Sequence, residues 1–210
     1  MTESLLLRGF LLGFSIAAPV GPIGVLCIRR TLAEGRLTGF LSGLGAATAD
    51  MLYGAAAAFG LTAVTNLLIE QQAYLRAIGG LFLLYLGIRT FFARPAESPA
   101  LLNEKAGAGV RVSAYLSTLF LTLTNPMTIL SFLGMFSAIL PAGGTVRAAD
   151  SAGLVLGVFL GSAAWWLALS GLVGLLRERF TPAWMRWVNR LSGAVITTFG
   201  VVTLAVLFTK

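Results

Sequence analysis

Histidine is absent from this 210-residue chain, and cysteine occurs once, as Cys27. Without histidine, the chain lacks the commonest metal ligand and the usual proton carrier near neutral pH. A single cysteine excludes an internal disulfide and any metal cluster built from several thiolates. These absences argue against zinc hydrolases, imidazole-based catalysis and thiol redox relays. We therefore predict that the protein is not an enzyme and that it holds no cofactor and no metal.

Charged residues are also scarce, at 11% of the chain against 57% hydrophobic residues. Soluble globular domains carry roughly 25% charged residues, so most of this surface must face something other than water. The composition therefore predicts an all-α integral membrane protein that forms one membrane domain, residues 1–210. The net charge of +7 does not indicate a nucleic-acid partner, because the basic residues lie in short segments between apolar runs.

Six apolar stretches reach the length of about 20 residues that a bilayer-spanning helix needs. They cover residues 5–28, 37–64, 73–92, 112–137, 151–176 and 186–208. The start, MTESLLLRGF, lacks the basic region of a signal peptide, so we expect a retained first span. The predicted organisation is a three-helix half (1–92), a cytoplasmic loop (93–111) and a second three-helix half (112–210).

The distribution of basic residues predicts the orientation of these helices. Eleven Lys and Arg residues lie in or beside the first, third and fifth connections, whereas four lie on the opposite side. The positive-inside rule then places both termini outside, on the side opposite the cytoplasm. Trp184 and Trp187 lie beside the fifth connection, which is typical of an aromatic belt at the lipid headgroups. Arg29, Arg30 and Arg36 are expected to set this topology and to touch headgroups.

An internal repeat relates the two halves. At a shift of 114 residues, LRAIGGLFLLYLG lies over NRLSGAVITTFGV, and at a shift of 104 Pro22 meets Pro126. Three spans per half is an odd number, so the second half would be inverted relative to the first. The pattern predicts a 3+3 inverted repeat of the kind found in secondary transporters, whose binding site lies near the bilayer midplane.

The first and fourth spans contain helix breakers where a membrane helix should be continuous. AAPVGPIG holds Pro19, Gly21 and Pro22, and TNPMT holds Pro126. Each proline removes one N–H and frees the carbonyl four residues earlier. Unpaired backbone groups persist in a membrane only where they face protein or a water-filled cavity. The pattern favours two broken helices at a binding site, with a simple packing kink as the alternative.

Asp50 is the only acidic residue deep inside an apolar run, GLGAATADMLYGAAAAFG. An ionisable group at that depth normally faces a cavity or a partner. Asn125 lies at a similar predicted depth in the fourth span. We predict that Asp50 holds either a proton or a cationic group of the substrate; the alternative is a protonated Asp50 that only joins two helices. Trp165 and Trp166 are also mid-span, and packing is favoured over a gating role.

The same residues carry a family resemblance. GFLLGFSIAAPVGPIGVLCIRRTLAEGRLTGFLSGLGAATADMLYGAAAAFGL, LRAIGGLFLLYLGIRTFF and TLTNPMTILSF resemble the first, second, third and fourth spans of the LysE/RhtB family of bacterial amino-acid exporters. The resemblance covers nearly the whole chain. It implies export of amino acids or close derivatives across the bacterial inner membrane, driven by the proton motive force. The motif positions that carry over are Pro19, Gly21, Pro22, Asp50, Asn125 and Pro126, with Asp50 also the candidate for the coupling proton.

Two departures from the family pattern bear on the substrate. The usual Pro-Gly-Pro reads Pro19-Val20-Gly21-Pro22, and Met127 stands where many relatives have a basic residue. The expected partners are an amino-acid substrate, protons and membrane lipids. The sequence leaves open whether the protein forms a homo-oligomer. An exporter of divalent metal ions or of another small solute is the alternative, although one deep carboxylate makes a poor coordination shell. An intramembrane enzyme or assembly factor fits less well.

Overall fold

The computed structural model describes residues 2–19, 21–59, 70–93, 107–125, 128–129, 131–132, 148–176 and 181–208. Seven helices occupy these ranges. In chain order they are α1 (Thr2–Ala17), α2 (Pro22–Glu34), α3 (Arg36–Ala58), α4 (Gln72–Phe91), α5 (Ala108–Leu123), α6 (Ala148–Leu176) and α7 (Pro182–Ala205). Pro126, most of the 93–111 connection and the later part of the predicted fourth span lie outside the described residues.

The first apolar stretch is divided between two helices. Gly21 caps α2 with an extended backbone, and Pro22 stands in the first helical turn, where a missing N–H costs nothing. The two helices differ in direction by 82°. Gly35 ends α2 with φ 100°, a left-handed conformation that glycine adopts readily, and α3 begins at the next residue. The predicted break is therefore present, but α2 continues past the predicted end at residue 28.

Three of the described helices are long and apolar enough to cross a bilayer singly, within Gln72–Phe91, Ser151–Leu176 and Ala183–Ala205. The bent pair α1 and α2 passes the same test together. The 20 residues of α4 correspond to about 30 Å at 1.5 Å per residue, the thickness of the hydrocarbon core. The predicted count of six spans stays a prediction.

Small residues bring the helices into close contact. α1 packs on α6, α4 packs on α7, and α3 lies against both α5 and α6. At the first of these contacts, a side chain added at Gly13 would overlap the Val158 carbonyl, and one added at Gly161 would overlap the Phe10 carbonyl. Close backbone approach through small residues is the usual basis of helix association in lipid.

Arg30 does not lie among headgroups as predicted, because the residue is buried inside the bundle, with 7% of its surface exposed. It donates hydrogen bonds to Ser42 Oγ (2.7 Å), Thr118 Oγ1 (2.8 Å), Ser117 Oγ (2.8 Å) and the Ala114 carbonyl (3.0 Å). The partners belong to α3 and α5, so one side chain of α2 joins three helices. The rigid fork of a guanidinium suits several acceptors at once.

Candidate functional site

A cavity of about 70 Å³ lies where the break between α1 and α2 meets α3 and α6. Pro19, Gly21 and Pro22 line it from the break, Asp50 from α3 and Trp166 from α6. Its volume exceeds the ~10–15 Å³ that one water needs. Four of the six predicted site residues therefore border one cavity. Their role in binding stays a prediction.

Asp50 is 3% exposed and is held by a chain of two hydrogen bonds. Ser162 Oγ donates to Asp50 Oδ2 at 2.7 Å, and Trp166 Nε1 donates to Ser162 Oγ at 3.2 Å. Both donors come from α6, one turn apart. The indole ring packs on Gly43, where an added side chain would overlap it. The carboxylate is thus fixed against α6 and borders the cavity.

The amino-terminal end of α2 forms another part of the cavity lining. Gly21, Pro22, Ile23 and Gly24 all border it. Pro22 has no N–H, and the Val25 N–H bonds to the Gly21 carbonyl at 3.0 Å. In any helix the first N–H groups have no carbonyl four residues before them, and the helix dipole is positive at that end. The arrangement pairs a carboxylate on α3 with an electropositive helix end on α2.

Asn125 does not border the Asp50 cavity in this structure. It lines a much smaller adjoining space of about 10 Å³ together with Pro22, Leu121 and Thr203. Pro126 lies outside the described residues, so its predicted place in the binding site is untested. The fourth apolar stretch reaches the Asp50 cavity instead through Thr122 and Thr128.

The sequence reasoning missed Ser162 as the partner of Asp50, and it missed Thr122 and Thr128 as part of the cavity lining. Isolated hydroxyl residues are frequent in membrane helices and often bond to their own backbone, as Thr122 Oγ1 does to the Thr118 carbonyl at 2.8 Å. Thr128 had a usable signal, because it ends the TNPMT motif. Ser162 had a weaker one, its position four residues before Trp166 on the same helix face.

A metal centre finds no support in the part of the chain that the structure describes. Within those ranges no three His, Cys, Asp or Glu side chains lie together as a metal site requires. Cys27 is fully buried among apolar side chains of the core, including Leu26 and Ile196.

Comparison with known proteins places the chain among membrane transporters. It is 26% identical over 200 residues to "Putative amino acid efflux protein YcgF" of Bacillus subtilis (strain 168), covering 94% of this chain and 93% of that protein. It is 30% identical over 173 residues to "Uncharacterized membrane protein YahN" of Escherichia coli (strain K12), covering 82% of this chain and 76% of that one. No solved structure matches significantly. The sequence model of the LysE type translocator family matches residues 14–206, and the chain belongs to that family of transporters.

Proposed function

We propose that this protein exports amino acids or their close derivatives across the bacterial inner membrane, driven by the proton motive force. The observation that carries the proposal is the cavity that Asp50 shares with the break between α1 and α2. Family membership supports transport as the activity. The name of the relative that matches 94% of this chain supports amino-acid efflux as its form.

Asp50 is proposed to take the substrate's amino group or the coupling proton. An ionisable side chain costs several kcal/mol inside a membrane, so its retention beside a cavity favours a functional role. A carboxylate that can hold either a proton or an ammonium group suits exchange, because one leaves when the other binds. The hydrogen bond from Ser162 keeps the carboxylate in a single orientation for both.

The start of α2 is proposed to take the substrate carboxylate. Helix amino termini bind anions through free backbone N–H groups and the positive end of the dipole. A side chain added at Gly21 would meet nothing within 4 Å, so the space beside this backbone is open. The two ends of a zwitterionic amino acid would then contact α2 and α3 at the same time.

Asn125 and Pro126 are proposed to form the matching break in the second half. Asn125 and Pro22 line one small cavity together, which supports this assignment. The packing pattern supports the inverted repeat: the first span of one half, α1, lies on α6, and its counterpart α5 lies on α3. Two halves related by a pseudo-two-fold axis would pack in this exchanged way.

The proposed orientation has both termini outside. Basic residues at the end of α2, the end of α4 and the start of α7 lie at one end of the bundle. There Arg29 Nε donates to Asn189 Oδ1 at 3.3 Å, and Asn189 Nδ2 donates to the Ala93 carbonyl at 3.1 Å. By the positive-inside rule this end faces the cytoplasm. Export would then move substrate from this end to the Asp50 cavity and outward.

The test compares amino-acid release from dipeptide-fed cells that carry the wild-type gene, no gene, Asp50→Asn or Glu70→Gln. Glu70 is an exposed acid just before α4, so it controls for the loss of one negative charge. We expect wild type and Glu70→Gln to raise release of particular amino acids, and Asp50→Asn to abolish it while still inserting into the membrane. Undiminished release by Asp50→Asn would refute its role, and no release by wild type would refute amino-acid export.

A further inference from the structure

A second and larger cavity, of about 450 Å³ and named the inner cavity, lies at the carboxyl-terminal end of α2. It is bordered by the end of α2, the end of α4 and the first turns of α5. This volume is within the range of ~300–1,000 Å³ that is typical of small-molecule sites. From Pro22 to Arg30 along α2 is about 12 Å at 1.5 Å per residue, so the two cavities lie near opposite ends of one short helix. Leu26, 1% exposed, lies between Pro22 and Arg30 on this helix and borders the inner cavity.

Positive charge dominates the lining of this inner cavity. Arg29, Arg30 and Arg89 border it against one acid, Glu34. Glu34 pairs with Arg29, whose Nη1 lies 3.8 Å from Glu34 Oε1. The four acceptors of Arg30 are neutral oxygens, so its charge is solvated but not neutralised. Arg89 is exposed and has no hydrogen bond or ion pair with any residue that the structure describes.

Backbone dipoles add to this field. The 16-residue α5 begins at Ala108, and Gly109, Val110 and Ser113 of its first turns border the same cavity. Side chains added at Gly107 or Gly109 would meet nothing within 4 Å, so this helix end is open to a ligand. The helix amino terminus and the three guanidinium groups favour the same kind of ligand, one with a carboxylate.

We infer that the inner cavity is an entry site that captures the substrate's carboxylate with Arg89 and Arg29 before transfer to the Asp50 cavity. This inference rests on the proposed function and narrows its substrate class to neutral and acidic amino acids. A cavity with three cations and one anion repels a side-chain ammonium or guanidinium group. We expect lysine and arginine to be exported at least about tenfold less efficiently than a neutral amino acid.

The variants isolate the inner cavity from the rest of the protein. Arg89→Gln removes a solvent-exposed positive charge from the cavity lining, and Glu34→Gln removes the one acidic side chain of that lining. Arg186→Gln is the matched control, because Arg186 is an exposed residue of α7 that does not line the cavity. Arg30 is left unchanged because its hydrogen bonds also hold three helices together.

The first step profiles all amino acids released by peptide-fed cells with and without the gene. Release of neutral or acidic amino acids, with little lysine or arginine, agrees with the inference. Predominant release of lysine or arginine would overturn it while leaving amino-acid export intact. Release of no amino acid above the gene-free strain would overturn the proposed function and the inference together.

The second step measures KM and maximal rate for the amino acid released most, with purified protein in phosphatidylcholine vesicles. Loss of one partly solvated charge-assisted bond should raise the KM of Arg89→Gln about fivefold with little change in maximal rate. Glu34→Gln should lower the KM, and Arg186→Gln should match wild type. An Arg89→Gln KM equal to that of wild type would overturn the inference.

Anionic lipid is the competing ligand, because a headgroup phosphate has similar chemistry. The same kinetics are therefore repeated in vesicles that contain phosphatidylglycerol. An Arg89→Gln defect in both vesicle types supports substrate capture. A defect that occurs only with phosphatidylglycerol would show that the cavity holds a headgroup and would overturn the inference.

Discussion

Replacing Arg30 tests whether one buried cation joins the broken first span to the rest of the bundle. In Arg30→Gln the side chain is shorter and neutral, so it cannot reach all four acceptors on α3 and α5. In Arg30→Lys the charge remains, but a point-like ammonium cannot span the acceptors that the guanidinium fork reaches. Both variants should be less stable than wild type, and the Gln variant should be the less stable of the two.

The size of the effect follows from the four hydrogen bonds. Interhelical hydrogen bonds in membrane proteins average about 0.6 kcal/mol, with a maximum near 1.7 kcal/mol, because the unfolded chain in lipid also finds partners. Four average bonds amount to about 2–3 kcal/mol. The loss is moderated because Ser42 Oγ and Thr118 Oγ1 also bond to each other at 2.6 Å. We therefore expect a loss of about 1.5–2 kcal/mol for Arg30→Gln and roughly half of that for Arg30→Lys.

The assay is reversible unfolding in bicelles by titration with a denaturing detergent. Arg186→Gln, an exposed charge at the same end of the bundle, should stay within ~0.5 kcal/mol of wild type. An Arg30→Gln free energy of unfolding within that same margin would refute the reasoning, since it would mean that the network contributes no net stability.

Two further predictions concern packing and the site. Gly161→Leu should strongly reduce the yield of folded protein, because the added side chain would overlap the Phe10 carbonyl of α1. Gly171→Leu is the control and should be tolerated, because atoms added at Gly171 meet open space. Size-exclusion profiles of the two variants test this prediction, and equal profiles would contradict it. Ser162→Ala removes the donor to the Asp50 carboxylate and should slow efflux up to about tenfold without abolishing it; vesicle uptake rates test this, and a rate within twofold of wild type would argue against positioning by Ser162.

Much of the helix pattern could be predicted from the sequence, because apolar runs translate directly into helices in lipid. The predicted stretches 73–92 and 151–176 nearly coincide with Gln72–Phe91 and Ala148–Leu176. The break at Pro19 to Pro22 could also be predicted, since proline removes a backbone donor wherever it occurs. The end of α2 could not, because it depends on the left-handed Gly35 and not on apolar content.

The site could be predicted only in part. Asp50 was recognisable because a deep carboxylate is costly wherever it faces lipid. Its partner Ser162 lies 112 residues away, and nothing in one sequence links two such positions. The burial of Arg30 was unpredictable for the same reason: a basic pair near a helix end is typical of a headgroup contact, and its acceptors Ser117 and Thr118 lie more than 80 residues along the chain.

Thiol labelling at Gly21 tests the central claim most directly. Because Cys27 is the only cysteine, Cys27→Ala provides a cysteine-free background. In that cysteine-free background, Gly21→Cys would border the Asp50 cavity, and Leu160→Cys would lie on the outer face of α6, where Leu160 is exposed. A charged, water-soluble methanethiosulfonate should modify Gly21→Cys much faster than Leu160→Cys, and the exported amino acid should slow that reaction. Equal rates, or no protection by the amino acid, would contradict a solvated substrate site at the break.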